Sequence, residues 1–454
     1  MTVAIRRVLI ANRGEIALRI IHAAQALGME TVLATSQADR DSLPARMADR
    51  ALCIGPAQTS ESYLKIDALL TAALESGCDA LHPGYGFLAE SEQLAEACAR
   101  EGIIFVGPTP DQILRMGNKL EARALARQAG VPMLPGSEKV KDFEQAMTIA
   151  DGIGYPVMLK AAAGGGGRGM KIVPRREDMQ RLFAAASGES RAAFGDDTLY
   201  LERYISNARH VEVQILGDSH GHVIHLGERD CSLQRRHQKV VEESPAPLLS
   251  EALRQSIRDA ALKLGRGIAY QNAGTVEFIV DGDIGEFYFL EMNTRIQVEH
   301  PVSEMVSGID LVQEQFRVAA GEVLRFAQED VVLRGHAIEC RINAEVPSEG
   351  FRPSPGLITV WQPPQGPNIR LDSHCHAGYR VPIYYDSMLA KLIVYGSDRN
   401  EAIQRMRSAL ARFQVDGIGT TLPFLRYAMA HEDFVAGRVN TALVEKMINE
   451  MAAK

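Results

Sequence analysis

The N-terminal part of the chain alternates short apolar runs with longer amphipathic ones. RRVLIAN (6–12) predicts a strand, and RGEIALRIIHAAQALG (13–28) follows with apolar residues at helical spacing and a closing glycine. METVLATS, CDALHPGYG and GIIFVGP predict further strands of the same kind. This strand–helix–strand rhythm predicts a parallel, doubly wound sheet, in which ligands bind at the carboxyl ends of the strands.

Two short motifs occupy that position in the predicted sheet. NRGE (12–15) follows the first strand, and HPGYG (82–86) follows a later one. We expect both to lie near the carboxyl edge of the sheet. For the glycines themselves, turn formation is the better explanation, because glycine adopts the backbone conformations that tight turns require.

The pattern changes after VPMLPGS (131–137), whose prolines and glycine predict a linker. A small unit follows, with strand YPVMLKAAA, a glycine-rich loop, strand MKIV, a helix and strand TLYLERYI. From VEVQILGD (211–218) onward the alternation predicts antiparallel hairpins, one of them over residues 273–293. The last hundred residues mix strands, turn-rich segments and a helix, which predicts a third domain of α+β type.

Together these patterns predict a multidomain protein of α/β and α+β class. We expect an N-terminal doubly wound domain over 1–115, a middle domain over 116–330 and a C-terminal domain over 334–446. Within the middle domain, residues at about 132–204 are predicted to form a mobile lid, because proline-marked segments flank them and their loop is rich in glycine.

Composition narrows the function without naming it. The chain has 454 residues, 46% of them hydrophobic, and a formal net charge of −8. An acidic chain is not expected to bind nucleic acid or a membrane surface, which both favour basic proteins. The N-terminus lacks the apolar core of a signal peptide, so a cytoplasmic location is expected.

The loop KAAAGGGGRGM (160–170) contains G-x-G-x-x-G at Gly164, Gly166 and Gly169. That fingerprint indicates dinucleotide binding only where a helix follows it, and here MKIVP predicts a second strand. A lysine beside a flexible glycine-rich hairpin suits the phosphates of a nucleoside triphosphate instead. Lys160 ends the strand before this loop, and Lys119 opens an earlier helix.

The hairpin TVEFIVDGDIGEFYFLEMN (275–293) gathers acids. If its turn is symmetric about Ile284, Glu277 lies across from Glu291, and Asn293 shares the face of Glu291. Facing carboxylates repel each other, so a site that collects them indicates a cation. Oxygen ligands of this kind favour Mg²⁺ or Mn²⁺ completed by phosphates and water. The alternative is an exposed polar face of an edge hairpin.

Charged residues continue beyond this hairpin. Arg295, Gln297 and Glu299 follow at a spacing of two, and an arginine with a carboxylate next to a metal site suits an anionic substrate. The segment 228–243 contains four cationic side chains that could bind an oxyanion: Arg235, Arg236, His237 and Lys239. For most of these residues, a solvated loop is the simpler explanation. Arg341 shares a strand face with Glu339 and Asn343, and a structural ion pair is an equally good explanation for it.

These residues together resemble the biotin carboxylases, enzymes of the ATP-grasp superfamily. The resemblance covers nearly the whole chain, and its motifs are very specific; they include ANRGEIALRI, HPGYGFLAE, KAAAGGGGRGM, ERDCSLQRRHQKVVEESPAP, EMNTRIQVEHPVSEM, GHAIECRINAE and YYDSMLAKLIVYG. The resemblance implies a ligase that uses ATP and bicarbonate to carboxylate biotin through carboxyphosphate. It also implies a pre-ATP-grasp domain, an ATP-grasp domain and a biotin carboxylase C-terminal domain in chain order.

The resemblance also implies roles for individual residues. The implied ATP-binding residues are Lys119, Lys160, Gly166, Gly167, Glu202, Arg203, Tyr204, Ile205, His210, His237, Glu277 and Glu291. Glu277 and Glu291 would bind one Mg²⁺ (or Mn²⁺), and Glu291 and Asn293 a second. The implied bicarbonate-binding residues are Lys239, Arg295, Gln297, Val298 and Glu299, with Glu299 as general base and Arg295 as catalytic arginine. Arg341 would bind biotin and stabilise the enolate-like oxygen of its ureido group.

Partners follow from the same resemblance. The sequence contains no A-M-K-M biotin-attachment motif, so biotin is expected on a separate carrier protein, with carboxyltransferase subunits as further partners. Acetyl-CoA carboxylase, and thus fatty acid synthesis, is the expected host, ahead of pyruvate, 2-oxo-acid and other acyl-CoA carboxylases. A homodimer is expected from the family.

Three alternatives stay open from the residues alone. Another ATP-grasp ligase is disfavoured by the set Lys239, Arg295 and Glu299 and by the third domain. A non-catalytic ATP-binding module is disfavoured because the metal acids and the base are all present. A dinucleotide oxidoreductase is disfavoured by the missing helix after the glycine loop.

Overall fold

The computed structural model describes residues 2–137, 139–140, 142–161 and 170–453. They fall into two compact units. Unit 1 comprises Met1–Val131, Arg209–Val280 and Gly285–Lys454, and unit 2 comprises Pro132–Ala208 and Asp281–Ile284. Unit 2 therefore contains the segment predicted as a lid, together with the turn of the acidic hairpin.

The first part of unit 1 is the predicted parallel sheet with its helices. The elements are β1 (Arg7–Ile10), α1 (Gly14–Ala26), β2 (Glu30–Ser36), α2 (Leu43–Met47), β3 (Arg50–Gly55), α3 (Ile66–Glu75), β4 (Ala80–His82), α4 (Glu92–Arg100) and β5 (Ile104–Phe105). The described strands lie in the order β3-β2-β1-β4-β5, and their pairs are parallel. The order reverses beside β1, which makes the carboxyl edge between β1 and β4 the expected ligand position. The helices α5 (Pro110–Gly117) and α6 (Lys119–Gln128) follow.

Unit 2 has its own sheet and core. Its elements are α7 (Phe143–Ile153), β6 (Val157–Ala161), β7 (Met170–Val173), α8 (Met179–Phe194) and β8 (Leu199–Arg203). The strands lie in the order β7-β6-β8 and pair antiparallel, and Leu159 and Leu201 are among the fully buried residues beneath them. The residues that follow the glycine run form β7, which pairs with β6, so MKIV is a strand as predicted.

The linker predicted at 131–137 was wrong for its second half. The backbone of Gly136 bridges Glu202, and Ser137 donates its N–H to the Leu201 carbonyl at 2.7 Å. Proline and glycine only signal that a segment does not continue a helix, and an extended segment is free to pair with a strand edge. Residues 135–137 therefore extend the sheet of unit 2 beside β8.

A large sheet organises the rest of unit 1. The middle part of the chain contributes these elements to the sheet and its surroundings: β9 (Ala208–Gly217), β10 (Val223–Arg235), β11 (Gln238–Ser244), α9 (Glu251–Gly267), β12 (Asn272–Asp281), β13 (Glu286–Asn293), α10 (His300–Ser307), α11 (Leu311–Ala319) and β14 (His336–Asn343). The hairpins β9–β10 and β12–β13 were predicted, and both are present.

The C-terminal residues complete this sheet. They form β15 (Glu345–Val346), β16 (Arg352–Pro353), β17 (Gly356–Leu357), β18 (Val360–Gln362), β19 (Ile369–Ser373), β20 (Arg380–Val381), β21 (Met388–Gly396), α12 (Arg399–Arg412), β22 (Gln414–Asp416), α13 (Leu422–Ala430), α14 (Glu432–Val435) and α15 (Leu443–Ala452). The described strands of the sheet run in the order β13-β12-β9-β10-β11-β14-β21-β19. Because β11 pairs with β14, the middle and C-terminal sequence regions share one continuous sheet.

The element types agree with the expected α/β and α+β class. Short 3₁₀ turns lie at Gln37–Asp39, Thr59–Glu61, Arg176–Asp178, Gln328–Asp330 and Pro347–Glu349. The core of the C-terminal region packs α12 and α13 on the sheet, with Leu392, Met406 and Phe424 fully buried. Within the described residues, no helix combines the length and the apolar character that a membrane span needs.

A buried ion pair fastens α12 to the large sheet. Arg399 donates two hydrogen bonds to Glu243, at 2.7 and 3.1 Å, and His336 lies 2.7 Å from the same carboxylate. Burial by itself opposes the charge of Glu243, but Arg399 and His336 outweigh it and lower the pKa of the carboxyl to about 2.

This depressed pKa gives a pH-dependent stability. A carboxyl with a lower pKa in the folded than in the unfolded state stabilises the fold above the unfolded pKa and ceases to do so as pH falls through the folded pKa. We therefore expect Glu243→Gln to lower the free energy of unfolding by about 2–3 kcal/mol above pH 5. The difference from wild type should shrink as pH falls from about 5 towards 2, measured by urea unfolding at each pH. Glu96→Gln, at an exposed position of α4, is the matched control, and a difference that does not vary with pH would contradict the role of Glu243.

Candidate active site

The two motifs after β1 and β4 meet at the carboxyl edge of the parallel sheet. The Asn12 side-chain amide donates to the carbonyls of Pro83 and Tyr85, at 2.7 and 2.8 Å. Gly84 adopts a φ of +64° there, which agrees with the turn explanation for this glycine. A cavity of about 350 Å³ opens beside this contact, lined by Asn12, Arg13, Gly14, Glu15, Ile16, Thr59, Tyr85, Gly86, Phe87, His374, Tyr384, Tyr385, Asp386 and Met388.

The acidic hairpin brings its predicted residues close together. The Asn293 amide donates to Glu277 Oε1 at 2.8 Å, and Gln297 donates to the same oxygen at 3.2 Å. The Glu291 side chain is exposed, and partial desolvation followed by the neighbouring charge of Glu277 raises the pKa of its carboxyl.

Lys239 joins three carboxylates from three different segments. Its Nζ lies 2.5 Å from Glu212 Oε2, 2.5 Å from Glu299 Oε1 and 3.2 Å from Glu277 Oε1. Burial opposes the lysine charge, but the three carboxylates outweigh burial and raise the pKa of Lys239 well above its ordinary value. The lysine is therefore a fixed cation at the centre of a buried group of acids.

Arg341 reaches Glu299 from the other side. It donates to Glu299 Oε2 at 2.8 Å and to Glu242 Oε1 at 2.5 Å. Burial disfavours the ionised form of Glu299, yet Lys239 and then Arg341 outweigh it and hold the pKa of this carboxyl well below its usual range. Burial raises the pKa of Glu242 to about 7, against the opposing effect of Arg341. The ion pairs of Arg341 are therefore with Glu242 and Glu299, which lie on other segments of the chain.

A buried arginine donates hydrogen bonds to one of these acids and to three neighbouring polar side chains. Arg229 is fully buried and donates to Glu212, Gln214, Ser303 and Thr275, at 2.6, 2.8, 3.0 and 3.1 Å. We call the seven charged residues that these contacts connect the charged cluster: Glu212, Arg229, Lys239, Glu242, Glu277, Glu299 and Arg341. Among the described side chains, it combines four acids with three cations that pair with them.

Arg295 lies at the edge of the charged cluster. Its guanidinium donates to Glu90 at 2.9 Å, to Gln297 Oε1 at 2.9 Å and to Asn293 at 3.1 Å. His210 Nε2 lies 3.0 Å from Glu277 Oε2. The described part of unit 1 therefore brings together His210, Lys239, Glu277, Glu291, Asn293, Arg295, Gln297, Glu299 and Arg341.

Three models of protein families match the chain. "Biotin carboxylase, N-terminal domain" matches residues 4–113, "Carbamoyl-phosphate synthase L chain, ATP binding domain" residues 118–327, and "Biotin carboxylase C-terminal domain" residues 339–446. A biotin carboxylase of Nostoc sp. is 52% identical over 442 residues, which cover 97% of this chain and 99% of that protein.

The chain belongs to the biotin carboxylase family. The predicted family, fold class and kind of enzyme are thereby confirmed. A pyruvate carboxylase subunit of Methanothermobacter thermautotrophicus is 49% identical over 441 residues, covering 97% of this chain and 89% of that protein. A crystal structure of the biotin carboxylase domain dimer of Hydrogenobacter thermophilus 2-oxoglutarate carboxylase, with MgADP, ADP and bicarbonate, has a TM-score of 0.89 and 47% identity, covering 97% of each chain.

Other residues that the family resemblance implied lie in unit 2. Lys160 donates to Glu202 Oε2 at 2.6 Å, and Arg203 pairs with Asp281 at 3.2 Å. Tyr204 donates its N–H to the Pro156 carbonyl at 3.1 Å, and Ile205 is buried. Gly166 and Gly167 lie outside the described residues.

The four predicted cations of segment 228–243 lie in different surroundings. Arg235 donates to the Gly350 carbonyl at 2.7 Å, while Arg236 and His237 form the exposed turn between β10 and β11. Lys239 alone among these four predicted cations joins the charged cluster. Lys119 opens α6, as predicted, after the capping residue Asn118.

Three acids of the site were not predicted from the sequence. Glu212 shares a strand face with His210, two residues earlier, and that spacing would have been a usable signal. Glu242 is three residues from Lys239, which places the two on opposite faces of a regular strand. Pairing moves from Gln234–Lys239 to Leu233–Val241, so Val240 is an extra residue, and this bulge changes the alternation. Glu90 carries no signal in the sequence.

Proposed function

We propose that this chain catalyses the ATP-dependent carboxylation of biotin by bicarbonate. The observation that carries the proposal is the position of Glu299, a buried carboxylate held between Lys239 and Arg341 and close to the Arg295–Gln297 pair. A base between two cations suits a reaction in which an anion binds, loses a proton and receives a phosphoryl group.

Bicarbonate binding follows from these charges. Lys239 and Arg295 would neutralise the anion, with Gln297 and Val298 completing its surroundings. Glu299 is ionised but weakly basic while Lys239 and Arg341 hold its pKa low. Bicarbonate competes for the same cations, and once Lys239 turns towards it, Glu299 loses stabilisation and becomes a stronger base. Substrate binding would thereby create the base that takes the bicarbonate proton.

The acidic hairpin fits the divalent ions that accompany ATP. Glu277, Glu291 and Asn293 present oxygen atoms on neighbouring strands, and oxygen donors of this kind suit a divalent ion such as Mg²⁺. Glu277 and Glu291 would hold one Mg²⁺, and Glu291 and Asn293 a second. When bound, such ions offset the repulsion between the phosphates and bicarbonate.

The remaining predicted residues would serve ATP and biotin. ATP would contact Lys119, Lys160, Gly166, Gly167, Glu202, Arg203, Tyr204, Ile205, His210 and His237, in addition to the metal acids. The γ-phosphoryl group passes to bicarbonate, giving ADP and carboxyphosphate, which breaks down to CO₂ and phosphate. Phosphate then takes the proton of biotin N1, which attacks CO₂. Arg341, kept protonated by Glu242 and Glu299, would stabilise the enolate-like ureido oxygen.

Bicarbonate-dependent ATP cleavage tests the proposed function. We expect ADP release to require bicarbonate and to increase when free biotin is added, because carboxyphosphate forms only from bicarbonate. ADP release is measured with bicarbonate removed and restored, with and without biotin. ATP cleavage that proceeds at the same rate without bicarbonate would contradict the proposal. Stimulation by an amine instead of biotin would favour another ATP-grasp ligase.

The host complex is a finer part of the proposal. We favour acetyl-CoA carboxylase, with biotin on a carrier protein and with carboxyltransferase subunits, and we keep pyruvate, 2-oxo-acid and other acyl-CoA carboxylases as alternatives. Relatives named for pyruvate and 2-oxoglutarate carboxylases keep those alternatives open. The same proposal includes a homodimer, a cytoplasmic location, the three domain boundaries and the lid at 132–204. Capture of the biotinylated partner, followed by assays of the acyl-CoA or keto acid that becomes carboxylated, distinguishes the hosts.

A further inference from the structure

A lysine with no exposed surface contacts the backbone of the proposed bicarbonate site. Lys391 lies on β21, and its Nζ donates to the Val298 carbonyl at 3.0 Å. The same Nζ lies 3.1 Å from Glu15 Oε2 and 3.7 Å from Asp372. Val298 immediately precedes Glu299, so this contact holds the peptide that joins a proposed bicarbonate ligand to the proposed base.

Lys391 is charged in spite of its burial. Burial opposes the lysine charge, but Glu15 and then Asp372 outweigh burial and raise the pKa of Lys391. Glu15 is fixed in turn by a hydrogen bond from the Tyr85 hydroxyl. The ammonium group therefore connects the NRGE corner, the HPGYG loop and β21 to one carbonyl of the site.

His300 makes a parallel contact with the preceding peptide. It is fully buried, and its Nδ1 lies 2.7 Å from the Gln297 carbonyl. Because a carbonyl only accepts, Nδ1 carries the proton. Burial, and then the nearby charge of Lys391, lowers the pKa of His300 well below its ordinary value, so the ring is neutral.

These two contacts fix the direction of two N–H groups. In a trans peptide the N–H points opposite to the carbonyl of the preceding residue. With the Gln297 carbonyl held by His300, the N–H of Val298 points away from that ring. With the Val298 carbonyl held by Lys391, the N–H of Glu299 points away from the lysine. Rotation of either peptide would also move the carboxylate of Glu299.

We propose that Lys391 is a positioning residue: together with the His300 contact, it fixes the backbone of residues 297–299 so that bicarbonate meets Val298 and Glu299 in the correct orientation. This inference rests on the proposed function. A purely structural role would be to join β21 to α1, since a buried ion pair with Glu15 does that as well. The two roles differ in what the loss of the lysine changes: affinity for one substrate, or stability of the whole unit.

The test compares Lys391→Met with the double variant Glu15→Gln/Lys391→Met, in which no buried carboxylate of Glu15 is left without its cation. Lys263→Met on the exposed face of α9 is the matched control. For both variants we expect the KM for bicarbonate to rise about tenfold to a hundredfold, as expected for loss of a hydrogen bond from a charged donor. ATP affinity should change by less than about twofold, because no ATP-binding residue is altered.

The outcomes separate the inference from the function it rests on. If wild type requires bicarbonate and the double variant keeps the wild-type KM for it, the positioning role is wrong. A parallel loss of bicarbonate affinity, ATP affinity and the urea midpoint would equally overturn it, in favour of a structural role. If wild type itself cleaves ATP without bicarbonate, the proposed function and this inference fail together.

Discussion

Replacing Glu299 by glutamine is expected to lower turnover by about 10²–10⁴-fold, the usual contribution of a general base. The amide keeps the size of the side chain but takes no proton from bicarbonate. ATP affinity should stay within about twofold of wild type, because Glu299 contacts Lys239 and Arg341 and lies outside the acidic hairpin. Steady-state ADP release and direct titration with ATP measure the two quantities separately.

The control for this experiment is Glu75→Gln, which removes the same charge at an exposed position of α3. It should leave turnover and ATP affinity unchanged. An equal loss of turnover and of ATP affinity in Glu299→Gln would contradict the base role, because it would indicate that the variant disturbs the charged cluster as a whole.

Replacing Arg229 by methionine is expected to give the largest loss of stability, about 3–5 kcal/mol, as for the removal of one partner from a buried ion pair. Methionine fills much of the space but donates no hydrogen bond. Glu212, Gln214, Ser303 and Thr275 would all lose a buried partner at once. The urea midpoint should fall in proportion, measured by circular dichroism.

Arg6→Met is the matched control, because Arg6 is 85% exposed and pairs with Asp79 only at 3.6 Å. Its midpoint should stay near that of wild type, since surface ion pairs contribute little. If Arg229→Met shifted the midpoint no further than Arg6→Met, the surrounding acids would have to be stabilised mainly by Lys239 and Arg341.

Much of the fold was predictable because the elements are locally determined. The run RRVLIAN and the helix after it became β1 and α1, and the acidic hairpin became β12 and β13. Each of these carries its own period of apolar residues, and that period decides helix or strand with little help from the rest of the chain. The second half of the linker predicted at 131–137 was wrong because pairing with β8 depends on a distant segment of the chain, about which local composition says nothing.

The site was predictable to the extent that its residues lie close together in the chain. Glu277, Asn293, Arg295 and Gln297 lie on one hairpin and its continuation, and the structure joins them by hydrogen bonds. The Mg²⁺ donor set was inferred from the same spacing. The pairing of Glu299 could not be predicted in this way, because its partners Lys239 and Arg341 come from two further strands and contact its two carboxylate oxygens separately.

The sequence by itself determined the family, the order of the elements and the residue types of the site. Motifs and the periodicity of apolar residues are local properties of the chain, so they can be identified without knowing which distant segments come into contact. The tertiary structure alone decided that β11 pairs with β14 and that Glu242 on β11 accepts a hydrogen bond from Arg341 on β14. It also decided that Lys391 reaches the Val298 carbonyl. The physical reason is that the charge states of these groups depend on burial and on neighbours within a few ångströms, which only the packing of strands far apart in the chain brings together.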